Sequence, residues 1–462
     1  MKISRIVILL TLLGISVGLS AGGFALSGIG SRAISMGGAF RGMADDASAM
    51  YWNPAGLAFL DHNEISLGGN AIQPGSKFKN TNALLPGFTT TEIEAENKLR
   101  AFPNLMGVFS NSDIAWGLGA YVPYGLGSTW DLYNMPSAFP HPDTLLDGSA
   151  VNIVLPSGME ENEMSSSVAV VDIHPTVAYK LADNFSFGLG LSVFYGQIDL
   201  AQVKPHAVYS YTMPTTFDMS GTGLGIGGNL GLMYKPWKNL SLGLNGRAPS
   251  NIFMEGDANI KLWLNNYYNY VVWGGNNAFY VPQVYGGKSD IDATLKLPAE
   301  IGGGLSWDIK PCWTVNLDYA YTMWERLDAI KVEMDTPITI LAGHPTLQNT
   351  VGSTTLTFNW KDTNRVSLGT EYRFGSSALR AGAYYDQTPI GKDVQLPTLS
   401  DTGDKISGNL GFGQSFGPVT IDLNGQYIYF PEREVTAQTA TNMVGVYNSS
   451  VIAGNLNLSF KF

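Results

Sequence analysis

The sequence predicts an all-β chain: a transmembrane antiparallel β-barrel of about fourteen strands with an N-terminal hatch inside its lumen. Three observations carry this expectation. Apolar and polar residues alternate with a period of two along most of the chain, as in Phe185-Ser-Phe-Gly-Leu-Gly-Leu-Ser-Val-Phe-Tyr195, Trp313-Thr-Val-Asn-Leu-Asp-Tyr-Ala-Tyr321 and Val419-Thr-Ile-Asp-Leu-Asn424. The connections between such stretches are tight and long by turns. Beyond the first few residues there is no run of about 18 apolar residues, so insertion into a bilayer requires a closed sheet.

The chain opens with Lys2 and Arg5, runs apolar from Ile6 to Leu13 and reaches the small residues Gly18-Leu-Ser20. This stretch is too short to span a bilayer and reads as a secretion signal over residues 1–20, cleaved after Ser20, with Ala21 or Gly22 as rival sites. Residues 21–61 lack strand periodicity. They are rich in glycine and small residues from Gly28 to Ala39, continue through Ala44-Asp-Asp-Ala-Ser48 and end on Trp52-Asn-Pro-Ala-Gly-Leu57. A dense, irregular segment in front of a barrel fits inside the lumen as a plug.

The barrel should occupy residues 62–462. Strands are expected at roughly 62–72, 101–110, 114–125, 165–181, 185–200, 221–236, 240–260, 291–309, 313–332, 354–373, 378–388, 405–416, 419–431 and 449–461. Tight turns fall at Asn111-Ser-Asp113, Ala182-Asp-Asn184, Trp237-Lys-Asn239, Lys310-Pro-Cys312, Gly375-Ser-Ser377 and Gly417-Pro418, and long segments at 73–100, 126–164, 201–220, 261–290 and 333–353. Short periplasmic turns and long outer loops are the pattern of bacterial barrels. The final strand alternates Leu456, Leu458, Phe460 and Phe462 with Asn455, Asn457, Ser459 and Lys461, ending on an aromatic.

With 27 basic against 38 acidic residues the net charge is −11, and loss of Lys2 and Arg5 with the signal takes it to −13. That argues against nucleic acid or an anionic surface as partner. The single Cys312 forms no internal disulfide. None of the five histidines has a neighbour at metal-ligand spacing, and there is no nucleophile elbow, phosphate loop or HExxH. No catalytic residue, metal or cofactor is expected.

Ala21-Gly-Gly-Phe24, Asp45-Asp46-Ala47, Asn53-Pro54-Ala55, Trp116-Gly-Leu-Gly119 leading to Tyr124-Gly-Leu126, and Pro175-Thr-Val-Ala-Tyr-Lys-Leu181 stand in this order along the chain. In these features it resembles the long-chain fatty acid and hydrocarbon transporters of Gram-negative outer membranes, the FadL/TodX type. The resemblance implies a passive uptake channel for hydrophobic compounds. Substrate would be caught in a groove between the loops after the third and fifth strands and would pass to an internal site near the hatch N-terminus, where Phe24 and Leu26 lie. It would leave sideways through a gap beside an inward kink in the third strand.

The residues themselves add to this. Asp45 and Asp46 are either solvated in a plug turn or tether the hatch to barrel cations such as Arg247 or Arg365. Asn53-Pro54-Ala55 suits a stiff corner of the plug. Trp130, Tyr133, Met135 and Phe139 fall in an outward loop, where an aromatic cluster covers something or binds something greasy. Gly117, Gly119, Pro123 and Gly125 make the third strand easy to bend and weak in pairing. Glu160, Glu161 and Glu163 are solvated or bridge divalent ions to lipopolysaccharide. The expected partners are a lipophilic small molecule, most simply a long-chain fatty acid, and outer-membrane lipids, with one chain forming the barrel. The rivals are an aromatic-hydrocarbon channel, a general porin with an open lumen, an outer-membrane lipid hydrolase built around His174, and a soluble all-β secreted protein.

Overall fold

The computed structural model describes residues 23–82, 87–96, 98–133, 154–157, 164–208, 211–399 and 401–462. The signal at 1–20, the loop residues Met135 and Phe139, and Glu160, Glu161 and Glu163 lie outside the described residues. Fourteen antiparallel strands form one closed barrel. They are β1 (Glu64–Asn80), β2 (Arg100–Asn111), β3 (Ile114–Trp130), β4 (Met164–Ala182) and β5 (Phe185–Val208). Next come β6 (Tyr211–Trp237), β7 (Leu240–Arg247 and Ser250–Leu264), β8 (Gln283–Leu297 and Ala299–Lys310) and β9 (Trp313–Met323 and Ala329–Ile340). The last are β10 (Asn349–Thr357 and Thr363–Phe374), β11 (Ser377–Asp386), β12 (Lys405–Phe416), β13 (Val419–Val435) and β14 (Gly445–Lys461). β1 pairs with β14 from Glu64 opposite Lys461 to Asn80 opposite Gly445, so the sheet has no free edge.

β7 to β10 are each interrupted once. In β8 the break is Pro298, which cannot donate a ladder hydrogen bond. All six expected tight turns are present, with Ser112, Gly375 and Gly417 at φ 53°, 59° and 60°. The outward face is apolar: Leu118, Leu189, Leu230 and Leu410 are all exposed, and Trp116, Trp237, Trp307, Trp313, Phe416 and Phe462 ring the tight-turn end. That is the lipid-facing band and aromatic girdle of an outer-membrane barrel.

Several strands run further than alternation predicts. Residues 201–220, expected as a loop, instead continue β5 and β6 as a tall hairpin, paired out to Val208 opposite Tyr211. Residues 73–80, 283–290, 333–340 and 349–353 are also strand. Above the hydrocarbon both faces are wet or polar, so the apolar alternation that marks a strand fades while its backbone pairing persists. Outward carboxylates face each other there, Glu255 opposite Asp292, Asp292 opposite Glu333 and Asp257 opposite Asp290.

Residues 23–60 lie within the ring of strands. They form α1 (Ser31–Ser35), α2 (Ala49–Trp52) and a 3₁₀ turn (Pro54–Phe59). Ala33, Met36, Phe40, Met50 and Leu57 are fully or almost fully buried against Met106, Val108, Ala115, Tyr121, Ala178 and Met233 of the inner wall. The wall is cut back to admit them: a Cβ on Gly188 of β5 would sit 2.4 Å from the Pro54 carbonyl carbon. Above this layer a larger apolar cluster fills the lumen, including Phe24, Leu26, Ile72, Phe102, Val122, Phe194 and Ile252.

Candidate functional site

The internal segment is held to the wall by polar contacts from several directions. The Asn53 amide donates to the carbonyls of Arg41 (2.9 Å) and of Leu232 on β6 (3.1 Å), and its Oδ1 accepts from Ala55 N–H (3.2 Å), capping the 3₁₀ turn that Pro54 begins. Ser186 of β5 donates to the Ala55 carbonyl at 2.8 Å. Asn53-Pro54-Ala55 is thus a corner piece bonded on three sides.

Asp45 and Asp46 do not reach Arg247 or Arg365. Both pair with Arg32 of α1, at 2.7 and 3.6 Å, and Arg32 also binds Glu371 of β10 at 2.9 Å. The expected polarity is reversed: the cation belongs to the internal segment and the carboxylate to the barrel. Arg41 repeats the arrangement, meeting Glu300 of β8 at 2.7 Å, Asp318 of β9 at 3.5 Å and Asn245 of β7 at 2.8 Å. Arg247 and Arg365 clamp backbone instead, donating to the carbonyls of Tyr51 and of Ser27 and Gly37 and lying 4.5 and 4.0 Å over the rings of Tyr51 and Tyr384. Burial, reinforced by Glu64 and Asp45 and opposed by Arg32, pushes the Asp46 carboxyl up to about 6. A polar cavity of ≈ 620 Å³ runs beside this seam, lined by Arg32, Asp46, Glu64, Glu371 and Arg380 among others.

The third strand departs from its neighbour. β2 and β3 pair only from Asn111 opposite Ile114 to Leu105 opposite Ala120. Against β4 the β3 register slips between Tyr121 and Tyr124, which leaves Val122 and Pro123 as a bulge. Beyond it, β3 bonds inward to the N-terminal segment: Leu26 N–H donates to the Pro123 carbonyl at 2.9 Å, and Gly125 N–H donates to the Phe24 carbonyl at 2.7 Å. The wall between β2 and β3 closes again where Glu96 N–H donates to the Thr129 carbonyl at 2.9 Å. Between those two points residues 100–104 have no partner on β3, and a Cβ on Gly125 would meet the Phe102 ring at 3.4 Å and Leu26 at 3.5 Å.

Pro123 and Gly125 lie at this bend, whereas Gly117 and Gly119 lie below it in the paired part. A Cβ on Gly117 would meet Met50 Sδ at 2.5 Å, and one on Gly119 would meet the Tyr121 ring at 2.8 Å. These two glycines make room for the internal segment and for a neighbouring ring.

Phe24 and Leu26 are both buried. Phe24 sits in an aromatic nest, 5.6 Å from Tyr124, 5.0 Å from Trp324 and 5.6 Å from Trp360. Gly23 N–H donates to Asp401 Oδ2 at 2.9 Å, and Lys405 pairs with the same oxygen at 2.6 Å, with both side chains wholly buried. Asp401 belongs to the connection 387–404, which folds inward and also accepts from Ser128 and Ser166 through the carbonyls of Pro397 and Thr398. None of Trp324, Trp360, Asp401 or Lys405 stands out in the sequence, because nothing local says which strand break or loop turns into the lumen.

Trp130 and Tyr133 are not exposed in a loop. Trp130 ends β3, buried with Phe78, Leu132, Met164 and Tyr447, and Tyr133 is buried 4.7 Å from the Phe88 ring. Of the groove expected between the loops after the third and fifth strands, residues 134–153 and 158–163 lie outside the described residues, and the segment after the fifth strand continues β5 and β6 as paired strands. An apolar cavity of ≈ 440 Å³ lies between the tops of β4 and β5, the upper part of β10 and the connections 387–404 and 436–444, lined by Met164, Val168, Ile198, Leu356, Leu399 and Met443 among others.

His174 Nδ1 is 3.0 Å from Ser192 Oγ, which donates to Asp172 Oδ2 at 3.0 Å, and His174 Nε2 is 3.2 Å from Asn229 Oδ1. All four side chains are buried, and the Asn229 amide donates to the Met50 carbonyl at 2.8 Å. The group braces the wall against the internal segment, and its serine faces protein on every side described.

The model of the family described as Outer membrane protein transport protein (OMPP1/FadL/TodX) matches residues 12–146 and 159–462. The long-chain fatty acid transport protein of Escherichia coli (strain K12) is 24% identical over 446 residues, covering 90% of this chain and 88% of that one. The putative outer membrane protein NMB0088 of Neisseria meningitidis serogroup B is 22% identical, covering 86% of this chain and 83% of its own length. Among solved structures, a Pseudomonas aeruginosa FadL homologue superposes with a TM-score of 0.74 at 18% identity, covering 95% of this chain and 99% of that one. The Pseudomonas putida toluene transporter TodX gives 0.66 at 19% identity, with 95% and 99% covered. Family members are transport channels rather than enzymes. The chain belongs to the OMPP1/FadL/TodX family and is an outer-membrane β-barrel transporter of hydrophobic compounds.

Proposed function

We propose that the protein takes up long-chain fatty acids by passive diffusion, with the segment 21–61 as a hatch and the β2–β3 window as a lateral exit. The observation that carries this reading is the departure of β3 from β2 at Ala120, where the strand bends inward and pairs with the hatch N-terminus. The lipophile enters the apolar cavity at the top of the lumen, passes the Phe24 nest and displaces the short pairing between residues 24–26 and 123–125. Release through the wall delivers an acyl chain straight into hydrocarbon and avoids re-exposing apolar area at ~25 cal/mol per Å².

The test places cysteines at Phe102 and Gly125 in a Cys312→Ser background and joins them with a short bis-maleimide. Cells carrying the joined protein should lose uptake of radiolabelled oleate, while unjoined controls keep it. Full uptake after verified joining would exclude this exit and leave passage past the hatch into the periplasm.

A second reading, uptake of aromatic hydrocarbons, is favoured by the nest of Phe24, Tyr124, Trp324 and Trp360, whose edge-to-face rings suit a flat aromatic guest. Competition between labelled oleate and toluene in the same cells separates the two.

A further inference from the structure

Arg100 is the first residue of β2 and stands at the upper rim of the β2–β3 window. It is opposite Ile72 of β1 and shares the inward face of β2 with Phe102, Asn104 and Met106, while Ala101, Pro103 and Leu105 face outward. Its side chain is 8% exposed. Its guanidinium nevertheless donates no hydrogen bond and pairs with no carboxylate among the described residues, and its Nε is buried without any partner. The nearest acid in sequence, Glu96, attracts Arg100 from beyond ion-pair distance and is itself paired with Lys98 at 2.6 Å.

The other buried cations of the lumen behave differently. Lys405 has Asp401, and Arg433 has Gln395 Oε1 at 3.0 Å and the Ile390 carbonyl at 2.7 Å. Arg32, Arg41 and Arg380 each have carboxylates. Burying the guanidinium Nε without an acceptor is costly, and an acceptor supplied from elsewhere removes the cost. The planar fork matches an oxyanion best.

We propose that Arg100 is a carboxylate-binding site at the lateral window, which makes this channel select long-chain monocarboxylates over neutral lipophiles of the same length. The carboxylate docks on the guanidinium, and the acyl chain lies along Ile72, Phe102, Val122 and Leu26, which belong to one continuous apolar cluster. The inward direction of Arg100 argues for a lumenal guest: a phosphate of the surrounding lipid would approach from the side of Ala101 and Pro103. The site is the last polar station before the window, so it deepens the proposed function and rests on the window being part of the route.

The experiment measures binding of oleate and of oleyl alcohol to the purified full-length barrel, as wild type, Arg100→Gln and Arg100→Lys. Folding of each variant is checked by its shift in electrophoretic mobility on boiling. Oleate affinity should fall about tenfold or more in Arg100→Gln and less in Arg100→Lys, with oleyl alcohol affinity unchanged in both. Oleate binding unaffected by Arg100→Gln would overturn the assignment. So would equal weakening of acid and alcohol, which marks a merely structural arginine, or loss from Arg100→Gln of a co-purified phospholipid rather than of oleate. Uptake in cells separates this from failure of the broader reading. Wild type that imports oleyl alcohol and oleate while Arg100→Gln keeps the same preference sinks only the site, whereas wild type that imports neither sinks the uptake route itself.

Discussion

Replacing Arg41 by methionine should unseat the internal segment while leaving the barrel closed. Arg41 is the only cation paired with Glu300 among the described residues, and it shares Asp318, whose side chain is 1% exposed. Methionine keeps much of the length and apolar stem but removes three contacts, to Glu300, Asn245 and Asp318. Asp318 keeps the backbone N–H groups of Phe40 and Arg41, at 3.0 and 2.8 Å, so Glu300 bears most of the loss. Breaking a fully buried pair from one side costs about 3–5 kcal/mol, and because Glu300 is 20% exposed and still attracted by Arg247 and Arg365 the cost here should stay below about 3 kcal/mol, up to roughly two orders of magnitude in the ratio of seated to released segment. Planar-bilayer recording of the purified protein should show rare conductance in wild type and frequent openings in Arg41→Met. Adding Glu300→Gln, which removes the stranded charge, should restore much of the closed state. If Arg41→Met stays as closed as wild type and its hatch resists protease equally, the ion-pair seat is not what holds the segment.

Four further substitutions test other parts of the design. Gly125→Leu puts a side chain where a Cβ already touches Phe102 and Leu26 at 3.4–3.5 Å, so it should cut oleate uptake without ion leak, while Gly117→Leu drives into Met50 and should produce leak; the reverse pattern in uptake and conductance assays would misplace the window. Because Asp46 is pushed up to about 6, the folded state holds a proton that the unfolded chain releases, and stability should fall as pH rises from about 4 to about 6. Asp46→Asn, which can still accept from Ser48, should flatten that slope in thermal melts, and parallel slopes for the two proteins would refute it. Lys405→Met strands Asp401, which is wholly buried, and should destabilise the inward connection by about 3–5 kcal/mol, read as faster proteolysis within 387–404.

The barrel was legible because its physics is local and repeated. A strand with one face in lipid and one in a packed lumen must alternate, and tight turns such as Gly417-Pro418 announce themselves by residue type. The strands of the tall β5–β6 hairpin were cut short because Gln202, Thr215 and Asp218 interrupt apolar alternation where no lipid demands it. The internal segment was legible as something other than strand, and Asn53-Pro54-Ala55 as a corner. Its ion pairs were not legible. Arg32 finds Glu371 across 339 positions, and only the closed ring brings them together. The bend at Val122-Pro123 could be anticipated from proline, but the same glycine-rich strand gave Gly117 and Gly119 equal weight, since a glycine that yields to a ring and one that lines a gap look alike in sequence. Arg100 carried no signal at all, because its oddity is the lack of a partner.

The facing carboxylates Glu255, Asp292 and Glu333, with Asp257 opposite Asp290, have a consequence for how the protein floats. Like charges set directly across a sheet repel unless water and counter-ions screen them, so these rows cannot be drawn into acyl chains. They act as a waterline. In a thicker membrane the barrel cannot sink to match it, and the lipids alongside must thin or tilt instead. The lateral exit proposed for such a wall would keep one depth whatever the bilayer does, and cargo leaving through it would always meet the membrane at the same level.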